Sequence, residues 1–562
     1  MMFSTGADRR DALMLGGLLT LGVGFPLVLG LLAGTLDIPR NDDWAYRRIA
    51  LELAQTGHLA LNVRTMIIGQ ILAVQPLLWL SGTQSWAFTA FGVVAAGWVV
   101  VSTYALARQF LVPARAAMPV LLLLLFPGYL AYATSFMSDM PAVASQMTCL
   151  TLGIVALRRR PIRDRWLLAS VVVGVFGVSL RDFALAAPAV VLLAALLADM
   201  RRLRYWALAA AVACAYAGLI IIRSALIPVG QPSIPTTGSS FQIAQAAATV
   251  SLVLAPAALI GAARWCARWH RPDLAIGVEL AVLAIAPQLL SLLPFGVPMP
   301  VFLPNLLSQR GSPQQHVFLG ERPLLFAETA WAALSVVGVV ACFVTMAAAA
   351  GIAGTVIRRH RGSLQQVMTA VGSPSGVLGL FPLAVVTGLS LFGLISPLFD
   401  RYFWPAVPPL AVILLGVASG PAPAVRGMWR QVRLAAPLAA TSLVLTGSVA
   451  VALALNAAAL DAALWRSGET LVRAGVRADE IDAGYTWFGY HATGPISDGV
   501  SSKAFYRAYW PAFHECGVVM SDPEVQPGTE LVGTESYSLY LIAGSSEQLY
   551  LFRRTDVACR AQ

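Results

Sequence analysis

Between residues 12 and 457 the chain is written mostly in apolar runs of about twenty residues, with the arginines gathered between the runs. A helix of that length crosses the roughly 30 Å hydrocarbon core of a bilayer. A soluble globule has no place for so many helices that are apolar on every side. Spans are expected near 12–36, 86–107, 117–134, 138–157, 166–180, 183–198, 205–227, 246–263, 274–294, 325–350, 374–396, 403–419 and 434–457, about thirteen in all. Of the 562 residues, 58% are hydrophobic and 12% charged. Soluble domains carry about 25% charged residues, so a soluble globule, a disordered chain and a small disulfide scaffold are all excluded.

The formal net charge of +10 rests on arginine, because Lys503 is the only lysine. With the N-terminus inside and the spans alternating, every arginine cluster falls on one face. These are Arg9 and Arg10; Arg108 and Arg115; Arg158 to Arg165; Arg201, Arg202 and Arg204; Arg264 to Arg271; Arg358 to Arg361; and Arg426 to Arg433. Basic loops stay on the cytoplasmic side, so the charge records orientation and not a nucleic-acid partner. Two choices are built into this count. Residues 66–80, interrupted by Gln70, Gln75 and Pro76, are read as an interfacial or re-entrant helix. The run around Arg181-Asp182 is split into two helices, because a charged pair in mid-bilayer costs several kcal/mol. The first run lacks a small-x-small cleavage pattern and reads as a retained anchor. Residues 1–457 are thus expected as a transmembrane domain and 458–562 as an exoplasmic one.

Three outer segments are long enough for chemistry: 37–65, 295–324 and the tail 458–562. The tail regains charges and turn residues, and its apolar pieces shorten to strand length, which suits a small α/β or mostly β domain. Cys516 and Cys559 are its only cysteines, and in an oxidising compartment they are expected to pair. Tail aromatics including Tyr485, Trp487 and Tyr490 serve either its core or an acceptor sugar. The loop 295–324 carries Arg310, His316 and Arg322 among its amides, as a cover for a substrate or as a solvated connector. In the first loop Tyr46, Ile49, Ala50 and Leu53 repeat at helical spacing, which predicts an amphipathic helix resting on the membrane surface and ended by Gly57. Its start, Asp42-Asp43, has two readings. Asp42 caps the helix while Asp43 pairs with Arg47 four residues on, or the two carboxylates are held above the bilayer for reaction.

Four stretches in order carry a family resemblance. They are the aspartate pair with Tyr46 after the first span; Thr134-Ser-Phe-Met-Ser-Asp139-Met-Pro141; Ser179-Leu-Arg181-Asp182; and Asp400-Arg401-Tyr402-Phe-Trp-Pro405-Ala-Val-Pro408. Together they resemble the GT-C superfamily of glycosyltransferases, in its protein-mannosyltransferase, aminoarabinose-transferase and RgtA/B/C/D-like branch. The likeness covers roughly residues 10–420 and leaves the tail out.

The resemblance implies an integral-membrane enzyme that takes a sugar from a polyprenyl-phosphate donor and gives it to a glycan, lipid or protein acceptor. It implies a site at the outer helix ends of a bacterial plasma membrane. Asp42 would be the general base, with Asp43 as the alternative, because the family's second acid is often glutamate. Asp139 would orient the acceptor, or help bind a divalent metal where relatives use one. Arg401 and Arg181, with Tyr402, would hold the donor phosphate, since guanidinium forks match phosphate oxygens. Simple ion pairs with the neighbours Asp400 and Asp182 would occupy the same arginines without any catalysis. The competing class is a multi-pass transporter or lipid-linked-sugar flippase, which usually shows repeated halves and ionisable groups inside its spans.

Overall fold

Apolar length and proline placement decide where the helices of this chain run and where they break. The structure is a computed structural model that describes residues 5–61, 63, 65–159, 161–227, 240–265, 271–291, 325–359, 364–394, 398–417, 428–493, 515–524, 527–539, 545–555 and 559. Among these residues eight helices are long and apolar enough to cross a membrane: Arg9–Ala33, Trp86–Arg108, Asp139–Leu157, Leu203–Leu226, Ser240–Ala263, Glu328–Gly354, Pro374–Gly393 and Ala435–Arg473. Leu32, Leu80, Val94, Leu203, Leu283 and Val444 are largely exposed on their outer surfaces. In water such a band would drive aggregation, whereas against lipid tails it costs nothing.

Two stretches expected as single spans are each broken at proline or glycine. The run near 117–134 forms the helix Pro113–Leu124, turns through Pro127 and Gly128 (φ 91°), and resumes as Tyr129–Tyr132. The run near 403–419 is a 3-10 turn over Asp400–Ala406, an α-helix over Val407–Val412 and a π turn over Ile413–Val417. Pro405, Pro408 and Pro409 supply no amide hydrogen to a regular ladder. The same chemistry shapes the first helix, where a π turn over Thr20–Gly24 precedes Pro26. Pro26 leaves the Gly22 carbonyl without its helical donor, and the Tyr129 hydroxyl donates to that oxygen at 3.1 Å.

The first outer loop forms α1 (Asp43–Thr56), ended by Gly57 at φ 72°. Its apolar stripe faces protein and not the membrane surface: Tyr46, Ile49 and Ala50 are buried. The helix beneath it is α2 (Ile68–Ser81), only 14 residues with Pro76 inside, about 21 Å long and too short to span. Gln75 of α2 donates to the Ala50 carbonyl at 3.2 Å, and Gln70 donates to Phe136 at 2.9 Å. These bonds offset part of the cost of burying two amides in α2, whose Oε1 atoms stay buried without a partner. Next come α3 (Asp139–Leu157) and α4 (Asp164–Leu180), and α4 stops at Arg181, whose extended backbone separates it from the following helical run. These helices approach closely at small residues. A Cβ on Gly177 would lie 2.3 Å from Ser145 Oγ, and one on Gly92, in the helix Trp86–Arg108, would lie 2.6 Å from the Ser135 carbonyl oxygen in the turn before α3.

The tail hangs on one helix, α5 (Met428–Arg473), whose 46 residues extend roughly 69 Å. The boundary expected between 457 and 458 lies inside it. Its first half exposes Leu438 and Val444, while Leu460, Leu464 and Leu471 form a core with a four-stranded sheet. The strands are β1 (Ile481–Asp482), β2 (Gly517–Met520), β3 (Thr529–Ser538) and β4 (Ser546–Arg554), in the order β1-β2-β4-β3. β1 and β2 are parallel and the other pairings antiparallel. Cys516 and Cys559 form a disulfide with Cα atoms 5.7 Å apart, tying the start of β2 to the segment after β4. Between β1 and β2 lies α6 (Tyr485–His491).

Candidate active site

The two aspartates that open α1 have different environments. Asp43 is fully buried and receives both Nε (2.7 Å) and Nη2 (3.0 Å) of Arg47, plus the Phe136 amide at 3.1 Å. Arg47 in turn donates to the Asp37 and Ile38 carbonyls, and its guanidinium lies over the Phe88 ring. Asp43 is thus a structural anchor that joins α1 to the Thr134–Asp139 turn, with three of the roughly four acceptor sites of its carboxylate taken by protein. Asp42 sits at the helix start without making a side-chain cap bond. Its carboxylate is 32% exposed, accepts the Tyr485 hydroxyl at Oδ1 (2.9 Å) and faces Arg401 Nη2 from Oδ2 at 3.5 Å.

Arg401 links that carboxylate to Asp139, and Asp139 links it to Arg181. Asp139, buried at the first turn of α3, receives Arg181 Nη2 at 2.7 Å and faces Arg401 Nε at 3.7 Å. Arg401 also donates to the Tyr132 hydroxyl and lies over the rings of Phe399 and Tyr402. Arg181 is not explained by its neighbour in sequence: Asp182 turns away to Arg223 on the helix Leu203–Leu226, at 3.1 Å. The Asp400 side chain lies outside what is described. Burial pulls the Arg401 pKa down, but Tyr132, Asp139, Tyr402 and Asp42 around it outweigh that and hold it well above the arginine range. Arg181 is likewise raised despite burial, with Asp139 as the main opposing charge. Tyr46, packed among the same four charges, is pushed up to about 12, mainly by burial. The arrangement is two permanent cations and two carboxylates, one of which is open to solvent.

This charge balance bears on the metal. Asp42, Asp139, Arg181 and Arg401 sum to zero, and each carboxylate already faces a guanidinium, whereas magnesium and calcium sites need an excess of free oxygen ligands. Among the described residues no three of His, Cys, Asp and Glu converge as a ligand set. Among the described residues, the donors at this site do not fit a resident dication.

Tyr402 packs edge-on against Phe399 and tilted against Phe183, so its ring walls one side of Arg401. Arg310, His316 and Arg322 lie outside the described residues. Tyr132 and Tyr485 complete the cluster. Tyr132 sits in an apolar run that gives no sign of it. Tyr485 is one of many tail aromatics, 443 positions from its partner.

No family model matches this chain, and no curated protein matches it. Among solved structures, ArnT from Cupriavidus metallidurans bound to undecaprenyl phosphate aligns with 97% of this chain and 99% of its own, at TM-score 0.42 and 11% identity. The apo state of the same protein gives a TM-score of 0.35 and 12% identity, over 94% and 97% of the two chains. The archaeal oligosaccharyltransferase AglB from Archaeoglobus fulgidus, in complex with an inhibitory peptide and a dolichol-phosphate, aligns with 79% of this chain at TM-score 0.37 and 15% identity. The chain spans 58% of that protein's length.

Proposed function

We propose that this chain is an inverting glycosyltransferase of the membrane. It would transfer a sugar from a polyprenyl phosphate to a hydroxyl of an exoplasmic glycan, lipid or protein acceptor. The observation that carries the reading is Arg401 standing between Asp42 and Asp139, at 3.5 and 3.7 Å, with Arg181 on the far side of Asp139. The acceptor oxygen attacks the anomeric carbon, the bond from that carbon to the phosphate oxygen breaks, and the acceptor proton passes to the Asp42 carboxylate. A single displacement inverts the anomeric centre. The donor phosphodiester carries one negative charge and the released polyprenyl phosphate about two. Arg401 and Arg181, which do not deprotonate, offset that growing charge in a site of low dielectric. Asp139 then serves to aim the two guanidiniums, since its side chain is only 1% exposed, bonds Arg181 at 2.7 Å and faces Arg401 at 3.7 Å. Arg181 Nε is buried without a hydrogen-bond partner, a donor in reserve for a phosphate oxygen.

Purified protein in liposomes, given radiolabelled polyprenyl-phosphate sugars and a cell-envelope acceptor fraction, tests the reading. Transfer of label with release of free polyprenyl phosphate is expected. Movement of intact donor between leaflets with no cleavage would establish a transporter or flippase instead.

A further inference from the structure

We propose that Tyr485, carried by the tail, is a positioning residue for the Asp42 carboxylate, so that the tail forms part of the active site. The inference rests on the reading of Asp42 as the general base. The hydroxyl of Tyr485 donates to Asp42 Oδ1 at 2.9 Å, leaving Oδ2 as the oxygen that faces Arg401 at 3.5 Å. A carboxylate at the end of a helix, without a cap bond, rotates freely about its side-chain torsions unless something holds it. Here a phenol fixes one oxygen and leaves the other for the acceptor proton.

The short helix that carries Tyr485 is clamped from two sides. Trp487 lies against Gly468 of α5, where a Cβ would come within 2.5 Å of the indole. On the other side Gly489 lies against Trp44 of α1, where a Cβ would come within 2.3 Å. Each glycine admits a tryptophan that no larger residue would allow. Arg48 of α1 then donates to the Gly489 and Ala492 carbonyls at 2.8 and 2.9 Å, satisfying the end of α6. Trp44 and Tyr485 meet edge to face at 5.7 Å. A buried ion pair, Arg40–Asp461 at 2.8 Å, joins the first loop to α5 nearby. Three contacts set α6 against α1 and a fourth joins the first loop to α5, and together they bring one hydroxyl to the exposed Asp42 carboxylate.

Two variant cycles on the full-length protein test this. In the kinetic cycle, Tyr485→Phe lowers kcat five- to twentyfold and leaves KM for the donor within twofold. In the Asp42→Asn background the same change costs less than twofold further. Hydrogen exchange across residues 485–493 stays at the wild-type level in Tyr485→Phe, because Arg48 and the two glycine contacts remain. Wild-type kcat in Tyr485→Phe would overturn the proposal. So would a joint collapse of kcat, KM and exchange protection, which would mark a merely structural residue. In the thermal cycle, the Tm shift of the double variant is smaller than the sum of the single shifts, as for groups in contact. Additive shifts would overturn the tie between the two side chains whether or not the protein transfers sugar. A wild-type protein that transfers nothing but shows thermal coupling would sink the reading of function and leave Tyr485 as the group that holds Asp42.

Discussion

Neighbouring aspartates in this chain show how little a residue type settles by itself. Asp42 and Asp43 have the same chemistry, yet one is walled in by Arg47 and the Phe136 amide and the other opens to solvent beside Arg401. The motif that brought out Asp42, Asp139, Arg181 and Arg401 is legible in sequence because each lies at a helix end next to an apolar run. What sequence does not carry is which charge meets which. Local spacing pairs Arg181 with Asp182, and the fold gives Arg181 to Asp139 and Asp182 to Arg223. The pairing of Asp43 with Arg47 was readable because both sit one turn apart on a single helix. This difference makes Asp43→Asn a stability variant. It strips half of a buried ion pair and leaves a guanidinium uncompensated, so a loss of about 3–5 kcal/mol is expected. The measurement is the thermal midpoint in detergent, where Asp43→Asn should melt far below Asp42→Asn.

At the scale of elements, proline and glycine account for most departures from the sequence reading. The run 117–134 breaks at Pro127-Gly128, and 403–419 breaks at a cluster of prolines; a count of apolar residues alone reads both as single spans. The stripe on α1 was legible as a stripe, but the surface it meets was not. Period alone does not distinguish a lipid face from a protein face, and here α2 lies beneath it. The tail helix α6 has no periodic signature at seven residues, and its place is decided by partners hundreds of positions away. That packing is sensitive to acid. His491 stacks on Trp487 with ring centres 4.0 Å apart, and burial, with Arg48 adding to it, depresses its pKa below the histidine range. The Trp487 carbonyl and Asp479 act the other way, more weakly. The fold thus prefers neutral His491. Its contribution is fully present above the unfolded pKa of about 6.5 and is lost as pH falls through the folded value. Hydrogen-exchange protection factors at residues 485–493, corrected for the intrinsic rate at each pH, should fall between pH 7.5 and pH 5.5, and His491→Gln should flatten that dependence.

Across the whole molecule, exposed apolar side chains, arginine-rich turns between apolar runs and a disulfide-bonded sheet in the tail are the features that the proposed topology must order along a membrane normal. With Cys214 replaced by alanine, Arg201→Cys should react with an impermeant maleimide only after cells are opened. Glu524→Cys should react in intact cells, and the reverse pattern would invert the topology. The proposed orientation would put the charge cluster and the tail on the outer side, where the proposed donor and acceptor would meet. The site's central claim is that Asp42 takes the acceptor proton. The direct measurement is turnover of a polyprenyl-phosphate sugar by Asp42→Asn in protein whose Tm matches wild type. A fall of about 100- to 10,000-fold in kcat, with donor KM nearly unchanged, is the expected result. Wild-type kcat in that variant would contradict the account.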